Sequence, residues 1–420
     1  VASRKIIQIL YVYERLIPMF KRFSSGSFGL CFSVTVLLLA GCGGGSGGGG
    51  GGGFTSGVTK AELGRKIFID TDLSSSRNQS CASCHDLSAP NLNGFADPDP
   101  DVTKTAPVSE GSEEDVGAFG NRNAPTVSYA SFIPDFGTLT AAGVAQSGDT
   151  PSKYRGGQFL DGRALNLVEQ AKGPFLNPVE MNLSTKAVVV ARVAESNYAN
   201  DFIAVYGSGA FDNTNTAFDN IADAIAAFEK TAELNPFSSK YDAFIRDRGN
   251  NPLSIEEANG LALFKDETRA KCTKCHTLND STDAVPSDSL FTNFEYYNIG
   301  VPVNLDNPSY PTVDKGLGGG GNLAVEPADI TAGTEDGKFR VPTLRNVGVT
   351  GPYMHNGAHA TLEEVINHYD QFGTDNITPE VATNIANEMG DVTIGNSIGL
   401  TVEEVADIKA FLLTLTDGYQ

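Results

Sequence analysis

Two pentapeptides constrain this chain more than anything else in it: Cys81-Ala82-Ser83-Cys84-His85 and Cys272-Thr273-Lys274-Cys275-His276. Each has the C-x-x-C-H spacing by which two thiols bond covalently to the vinyl groups of one haem while the adjacent imidazole binds its iron. The two intervening residues separate the sulfurs by about the distance between the vinyls, and the histidine then lies under the ring. With six Cys and five His among 420 residues, two chance copies are not expected. A zinc knuckle or a thiol redox pair is the competing reading. Zinc needs four ligands in a closed set, whereas each Cys pair here runs straight into His and the copies lie far apart. The pattern implies one c-type haem at each motif.

A related helix is expected ahead of each motif. Gly64, Phe68 and Asp70 precede the first, and Gly260, Phe264 and Asp266 precede the second with the same internal spacing. Ser254-Ile255-Glu256-Glu257 reads as a capping box that opens the second helix. The chain thus contains two cytochrome-like units, each a helix delivering a haem-binding turn. Ile221, Ala224, Ile225 and Phe228 share one helical face, and Thr361/Glu364 and Thr401/Glu404 open helices over 361–369 and 401–413. Strand signals are sparse. The Gly-, Pro- and Asp-rich stretches 97–115 and 301–336 read as long surface loops around the haem edges. The expected fold class is mainly α: two cytochrome c-like domains, each binding one c-type haem, with long irregular loops. The divide is placed near Asn235-Pro236, giving 54–235 and 236–420, with the last helix free to pack back on the first domain.

A hydrophobic content of 40% over this length suits two globular cores. From Met19 the chain reads as an export signal: Lys21 and Arg22, then an apolar run ending in Leu39-Ala40-Gly41-Cys42. That ending resembles a bacterial lipobox, with cleavage before Cys42 and acylation of the new terminal Cys; more than one chain there makes anchoring stable. A transmembrane anchor is the competing reading, but the apolar run is short for a bilayer. Residues 1–18 read as an upstream extension, 1–41 as the removed segment, and 42–53 as a lipidated Cys with a Gly-rich tether. Cys31 and Cys42 belong to this segment and the other four Cys to the haem motifs, so no structural disulfide is expected. Haem attachment through thiols implies a compartment outside the cytoplasm, here the periplasm, with outer-membrane attachment by lipid alone. Without the five basic and one acidic residues of 1–41, 25 basic side chains face 50 acidic ones, a formal charge of −25. Such a charge argues against nucleic acid and would steer in a basic electron-transfer protein.

Six ordered segments between and beyond the motifs carry a resemblance. They are Asn123-Ala124-Pro125-Thr126, Phe159-Leu160-Asp161-Gly162-Arg163-Ala164, Glu169-Gln170-Ala171, Asn177-Pro178-Val179-Glu180-Met181, Val341-Pro342-Thr343-Leu344-Arg345-Asn346 and Pro352-Tyr353-Met354-His355-Asn356-Gly357. From about Leu63 to the carboxyl end the chain resembles bacterial di-haem cytochrome c peroxidases and MauG-like enzymes. The resemblance implies a peroxide site at the haem on Cys81, Cys84 and His85, with His85 as proximal ligand, Glu180 as acid/base and Gln170 as its companion amide. A carboxylate beside a peroxide-binding iron can take a proton from the near oxygen and return it to the leaving one; an amide only orients. From the residues alone, Glu180 could equally be a helix-start or surface acid.

Many peroxidases of the family close this haem with a distal His, but no His lies between His85 and His276, so the first iron is expected to stand open. The second haem, on Cys272, Cys275 and His276, would take in and store electrons. Its sixth ligand falls on Tyr369, where many relatives have Met and MauG-type enzymes have Tyr; His368, Met354 and Met389 compete, while His355 and His359 read as supporting residues. The resemblance also implies one calcium ion held by the Asn123 side chain and the Thr350 and Pro352 carbonyls. Arg163, Arg340 and Arg345 become candidates for the haem propionates. Leu160 stands where the family has an electron-bridging Trp, and the chain has no Trp at all. The implied reaction is reduction of hydrogen peroxide with electrons from a small cytochrome or cupredoxin, or from a membrane pool. A MauG-like oxidase acting on a protein or organic substrate and a pure di-haem electron carrier are the alternatives. Pairing as a homodimer is common in the family, although no self-complementary surface is visible in the sequence.

Overall fold

The computed structural model describes residues 57–87, 120–138, 154–306, 313–319, 333, 335–371, 378–383, 385 and 398–419. Cys42, the Gly-rich tether, Met389 and the stretch 97–115 lie outside the described residues. No helix among the described residues is long and apolar enough to cross a membrane.

The protein is mainly helical, and two helix pairs dominate it. In the first, Lys60–Phe68 (α1) crosses Thr214–Glu229; in the second, Ile255–Lys265 crosses Val402–Leu413. Between these run Leu167–Leu176 (α2), Lys186–Glu195 (α3) and Ala199–Tyr206 (α4), which makes Thr214–Glu229 α5. Lys240–Arg246 (α6) follows, then Ile255–Lys265 as α7, Leu362–Asp370 (α8) and Val402–Leu413 as α9. The capping boxes read from the sequence at Ser254/Glu257, Thr361/Glu364 and Thr401/Glu404 are all formed, and Thr59/Glu62 opens α1 in the same way. Each places a hydroxyl on an otherwise unpaired amide of the first turn and a carboxylate on the cap's own amide.

Each pair crosses at a glycine. A Cβ on Gly64 would lie 1.9 Å from the Ala224 carbonyl oxygen, and one on Gly260 would lie 1.9 Å from that of Asp407. Only hydrogen at these positions lets the backbones approach so closely. One turn on, Phe68 meets Phe228 edge to face at 5.3 Å, and Phe264 meets Phe411 at 5.2 Å. Asp70 then accepts from the amide of Asp72, and Asp266 from that of Thr268, so the same carboxylate turn leads each helix toward its cysteines. Two apolar clusters grow around these crossings. One runs from Leu63 to Leu234 with Ile221, Ala224 and Ile225 fully buried, and the other from Tyr241 to Leu415.

Strands are short. Gly137–Thr138 (β1) pairs with Tyr154–Arg155 (β2), and Tyr296–Tyr297 (β3) with Phe339–Arg340 (β4), both antiparallel. Of the stretch 301–336, two described residues are drawn inward: Leu317 is buried with Phe136, Tyr154 and Tyr296, and Asp314 is held by both Arg122 Nε (2.5 Å) and Nη2 (2.8 Å). α9 packs on α7 and α8, and in the tail beyond it Asp417 accepts from Tyr129 Oη of the first half (2.8 Å) and from the Ser238 amide (2.8 Å). Gly260 explains this preference, because α9 is the helix that fills the close crossing.

Candidate haem-binding sites

The two motifs fold alike. Cys81–Ser83 and Cys272–Lys274 each form one 3-10 turn, and the amides of His85 and His276 each donate to the carbonyl of the motif's first cysteine at 2.9 Å. In the second motif both cysteines and the histidine border one cavity, the arrangement that thioether attachment requires.

Around the second motif the chain encloses a cavity of about 310 Å3 walled by Cys272, Cys275, His276, Phe264, Leu344, Ile366, Leu412 and Tyr369. This is the size and apolar character of a cofactor cleft. His276 Nδ1 lies 2.8 Å from the Phe291 carbonyl. A proton on that nitrogen is the one the carbonyl can accept, which leaves Nε2 with its lone pair for a metal. Burial pulls the His276 pKa down to about 4, so the ring stays neutral as a ligand must. Tyr369 faces the cavity, and burial followed by the charges of Cys275 and Cys272 pushes its hydroxyl pKa up. His368 is directed elsewhere: its Nε2 meets the Ile299 carbonyl at 2.9 Å. Met354 also lines the cavity, His355 is tied to Glu380 at 2.9 Å, and the ring of His359 lies 5.1 Å from that of His368.

The same cavity reaches Asn123, Thr350, Pro352 and Leu160. The Asn123 amide donates to the Pro352 carbonyl at 2.6 Å, while its Oδ1 is buried with no hydrogen-bond partner among the described residues. An orphaned carboxamide oxygen beside a carbonyl suits a hard cation with oxygen ligands. No cluster of three or more His, Cys, Asp and Glu among the described residues could hold a metal.

The three arginines separate. Arg340 is buried on the cavity wall with Nε unpartnered among the described residues, a donor that suits an anion. Arg163 stacks 3.6 Å from the Phe159 ring and pairs with Asp161 at 2.9 Å, leaving a third of its side chain exposed. Arg345 also borders the cavity but is already heavily partnered. It is 1% exposed, bidentate to Asp242 (3.0 and 3.1 Å), bonded to the Ser289 and Pro286 carbonyls, and packed by Tyr129 and Phe237. A guanidinium so committed ties α6 to the stretch of chain before α8.

Around the first motif, α2 and the turn after it deliver the acid. Asn177 Nδ2 donates to Glu180 Oε1 at 2.5 Å, and the Met181 amide donates to the Pro174 carbonyl at 3.0 Å, folding the turn back against its helix. Burial pushes the Glu180 pKa up, opposed by the Asn177 hydrogen bond and by the charges of Arg163 and His85. Gln170 is half-buried on the same α2 unit. The charges felt by Cys81 include both Glu180 and Glu229, a residue the sequence reading passed over. Glu229 closes α5, is 3% exposed, and has Oε2 buried with no hydrogen-bond partner among the described residues. Burial pushes its pKa up to about 7 despite the opposing charges of His85 and Lys230.

Comparison with known proteins fits this geometry. Residues 58–250 match the family described as di-haem cytochrome c peroxidase. The methylamine utilization protein MauG of Paracoccus denitrificans is 37% identical over 85% of this chain and 88% of its own. The cytochrome c551 peroxidase of Nitrosomonas europaea is 32% identical over 85% of this chain and 79% of its own. Among solved structures, the diheme peroxidase BthA of Burkholderia thailandensis superposes with a TM-score of 0.71 at 30% identity, covering 85% of this chain and 86% of its own. The two haem-attachment turns are thus those of a known kind of oxidoreductase, and this chain belongs to the di-haem cytochrome c peroxidase and MauG family.

Proposed function

We propose that the chain reduces one hydrogen peroxide to two waters, using two protons and two electrons from a small cytochrome or cupredoxin. The observation that carries this reading is Glu180, a carboxylate whose pKa burial raises and which feels the charge of His85, in a stretch of chain with no histidine between His85 and His276. The haem iron, when bound, supplies the peroxide-binding position and the path for electrons. Glu180 accepts the proton of the near peroxide oxygen and returns it to the far oxygen as that leaves. Asn177 fixes one carboxylate oxygen and so directs the other. Desolvation makes Glu180 a stronger base than a carboxylate in water, and Arg163 offsets part of the cost of its charge. Gln170 contributes orientation. Glu180→Gln in the haem-loaded protein tests this: peroxide cleavage at the parental rate would remove Glu180 from the role.

The second cavity serves in this reading as the electron entry, with His276 and Tyr369 on the iron. Tyr369, not His368, faces the cavity. Arg340 and Arg163 are the propionate partners, and Asn123, Thr350 and Pro352 hold calcium with water completing its shell. The sequence supports a periplasmic lipoprotein anchored through Cys42, with 54–235 and 236–420 as its two haem domains. Tyr369 also favours a second reading, a MauG-like oxidase of a protein or organic substrate. Against it stands Leu160, which lines the cavity at the family's Trp position and cannot be oxidised. Steady peroxide turnover with a reduced cytochrome selects the peroxidase; peroxide consumption without such turnover selects the oxidase.

A further inference from the structure

The helix crossings assign Glu229 a partner position in the second half. Gly64 touches Ala224 and Phe228 as Gly260 touches Asp407 and Phe411, so the residue after Phe228 corresponds to the residue after Phe411. In the second half that residue is Leu412, buried on the haem-cavity wall, while His276 finds its acceptor in the Phe291 carbonyl. In the first half it is Glu229. Three local effects oppose a carboxylate there. It is buried, it stands at the carboxyl end of a helix where the dipole is negative, and its Oε2 lacks a partner among the described residues. Packing is no reason for it either, since leucine does that work in the equivalent place. Phe68 borders both elements, its ring 5.3 Å from that of Phe228, the residue before Glu229, and 6.4 Å from the His85 imidazole, and the charge of His85 acts on Glu229. A histidine that binds metal through Nε2 carries its proton on Nδ1, and a carboxylate facing that side raises its basicity.

We infer that Glu229 is a positioning residue for the peroxide-side haem, polarising the His85 imidazole that would bind its iron, where the second half uses a neutral carbonyl. This rests on the reading of His85 as proximal ligand. The polarised imidazole donates more electron density and favours the oxidised iron, so the two haems differ in potential through one side chain.

The test uses the full haem-loaded protein with Glu229→Gln, which keeps size, and Glu229→Leu, which copies the second half. The iron–histidine stretching band of the reduced protein is read by resonance Raman and both reduction potentials by spectroelectrochemistry. In both variants the first-haem band moves to lower frequency and its potential rises, while the second haem keeps its potential. A band and potential unmoved in Glu229→Gln overturn the inference, since a packing role alone would leave them in place. His85→Gly separates the underlying reading: loss of the band upholds His85 as ligand, and its survival overturns that reading together with the inference.

Discussion

The two halves share a skeleton and differ in what meets each imidazole. Both cross a pair of helices at a glycine with a would-be Cβ 1.9 Å from a carbonyl, and both place one Phe pair at the crossing, with ring planes inclined by 63° and 61°. Both then turn through an aspartate into a single 3-10 turn bearing Cys and His. Beyond that the halves diverge. The first has Glu180 and Glu229 within range of its motif, two buried acids; the second has Tyr369 and the Phe291 carbonyl, a phenol and a neutral acceptor. A common scaffold thus surrounds its two motifs with unlike side chains, the difference on which the proposed division of roles rests.

The largest test of this contrast is Glu180→Gln, which should slow reaction with peroxide by about 10²- to 10⁴-fold, the usual worth of a general acid/base, without changing the second haem's spectrum. Stopped-flow absorbance reads both at once. Asp242→Ala leaves the Arg345 guanidinium buried and unpaired, and should cost about 3–5 kcal/mol in denaturant unfolding. Gly64→Ala and Gly260→Ala should each cost about 1–3 kcal/mol, since a backbone carbonyl cannot yield as a side chain does. If the crossings are independent, each variant loosens only its own haem. The pH profile gives a smaller effect. The raised Glu180 pKa keeps the acid protonated to higher pH, so the peroxide rate should fall on acidification with a midpoint above the ordinary glutamate value of about 4.3. Glu180→Gln should flatten that limb. Tyr369→Phe should leave stability nearly unchanged and alter the spectrum of one haem only; two unchanged spectra would remove it as a ligand.

Much of the architecture was legible in the sequence because it is written in local rules. The attachment turns follow from a fixed Cys and His spacing, and α7, α8 and α9 begin at their Ser- or Thr-x-x-Glu boxes. The glycine and phenylalanine repeat signalled a related helix ahead of each motif, but not the helices that cross them. What stayed hidden depends on contacts between distant positions. Arg345 looked available for a propionate because nothing local announces Asp242, with which it forms a buried pair across the fold. Glu229 lay at the end of an apolar helix face, where one acid reads as solvent-facing; only its alignment with Leu412 could have singled it out. The stretch 301–336 looked like a surface loop by composition, yet Leu317 and Asp314 are drawn inward by partners that no period reveals.

The central claim is that two covalently attached haems occupy unlike sites and that only the one on His85 has an open face. A ferric optical and paramagnetic resonance spectrum of the purified protein, followed through titration with peroxide, tests it directly. The account predicts one high-spin and one low-spin iron, with the high-spin signal consumed by stoichiometric peroxide. Two low-spin irons indifferent to peroxide would contradict it.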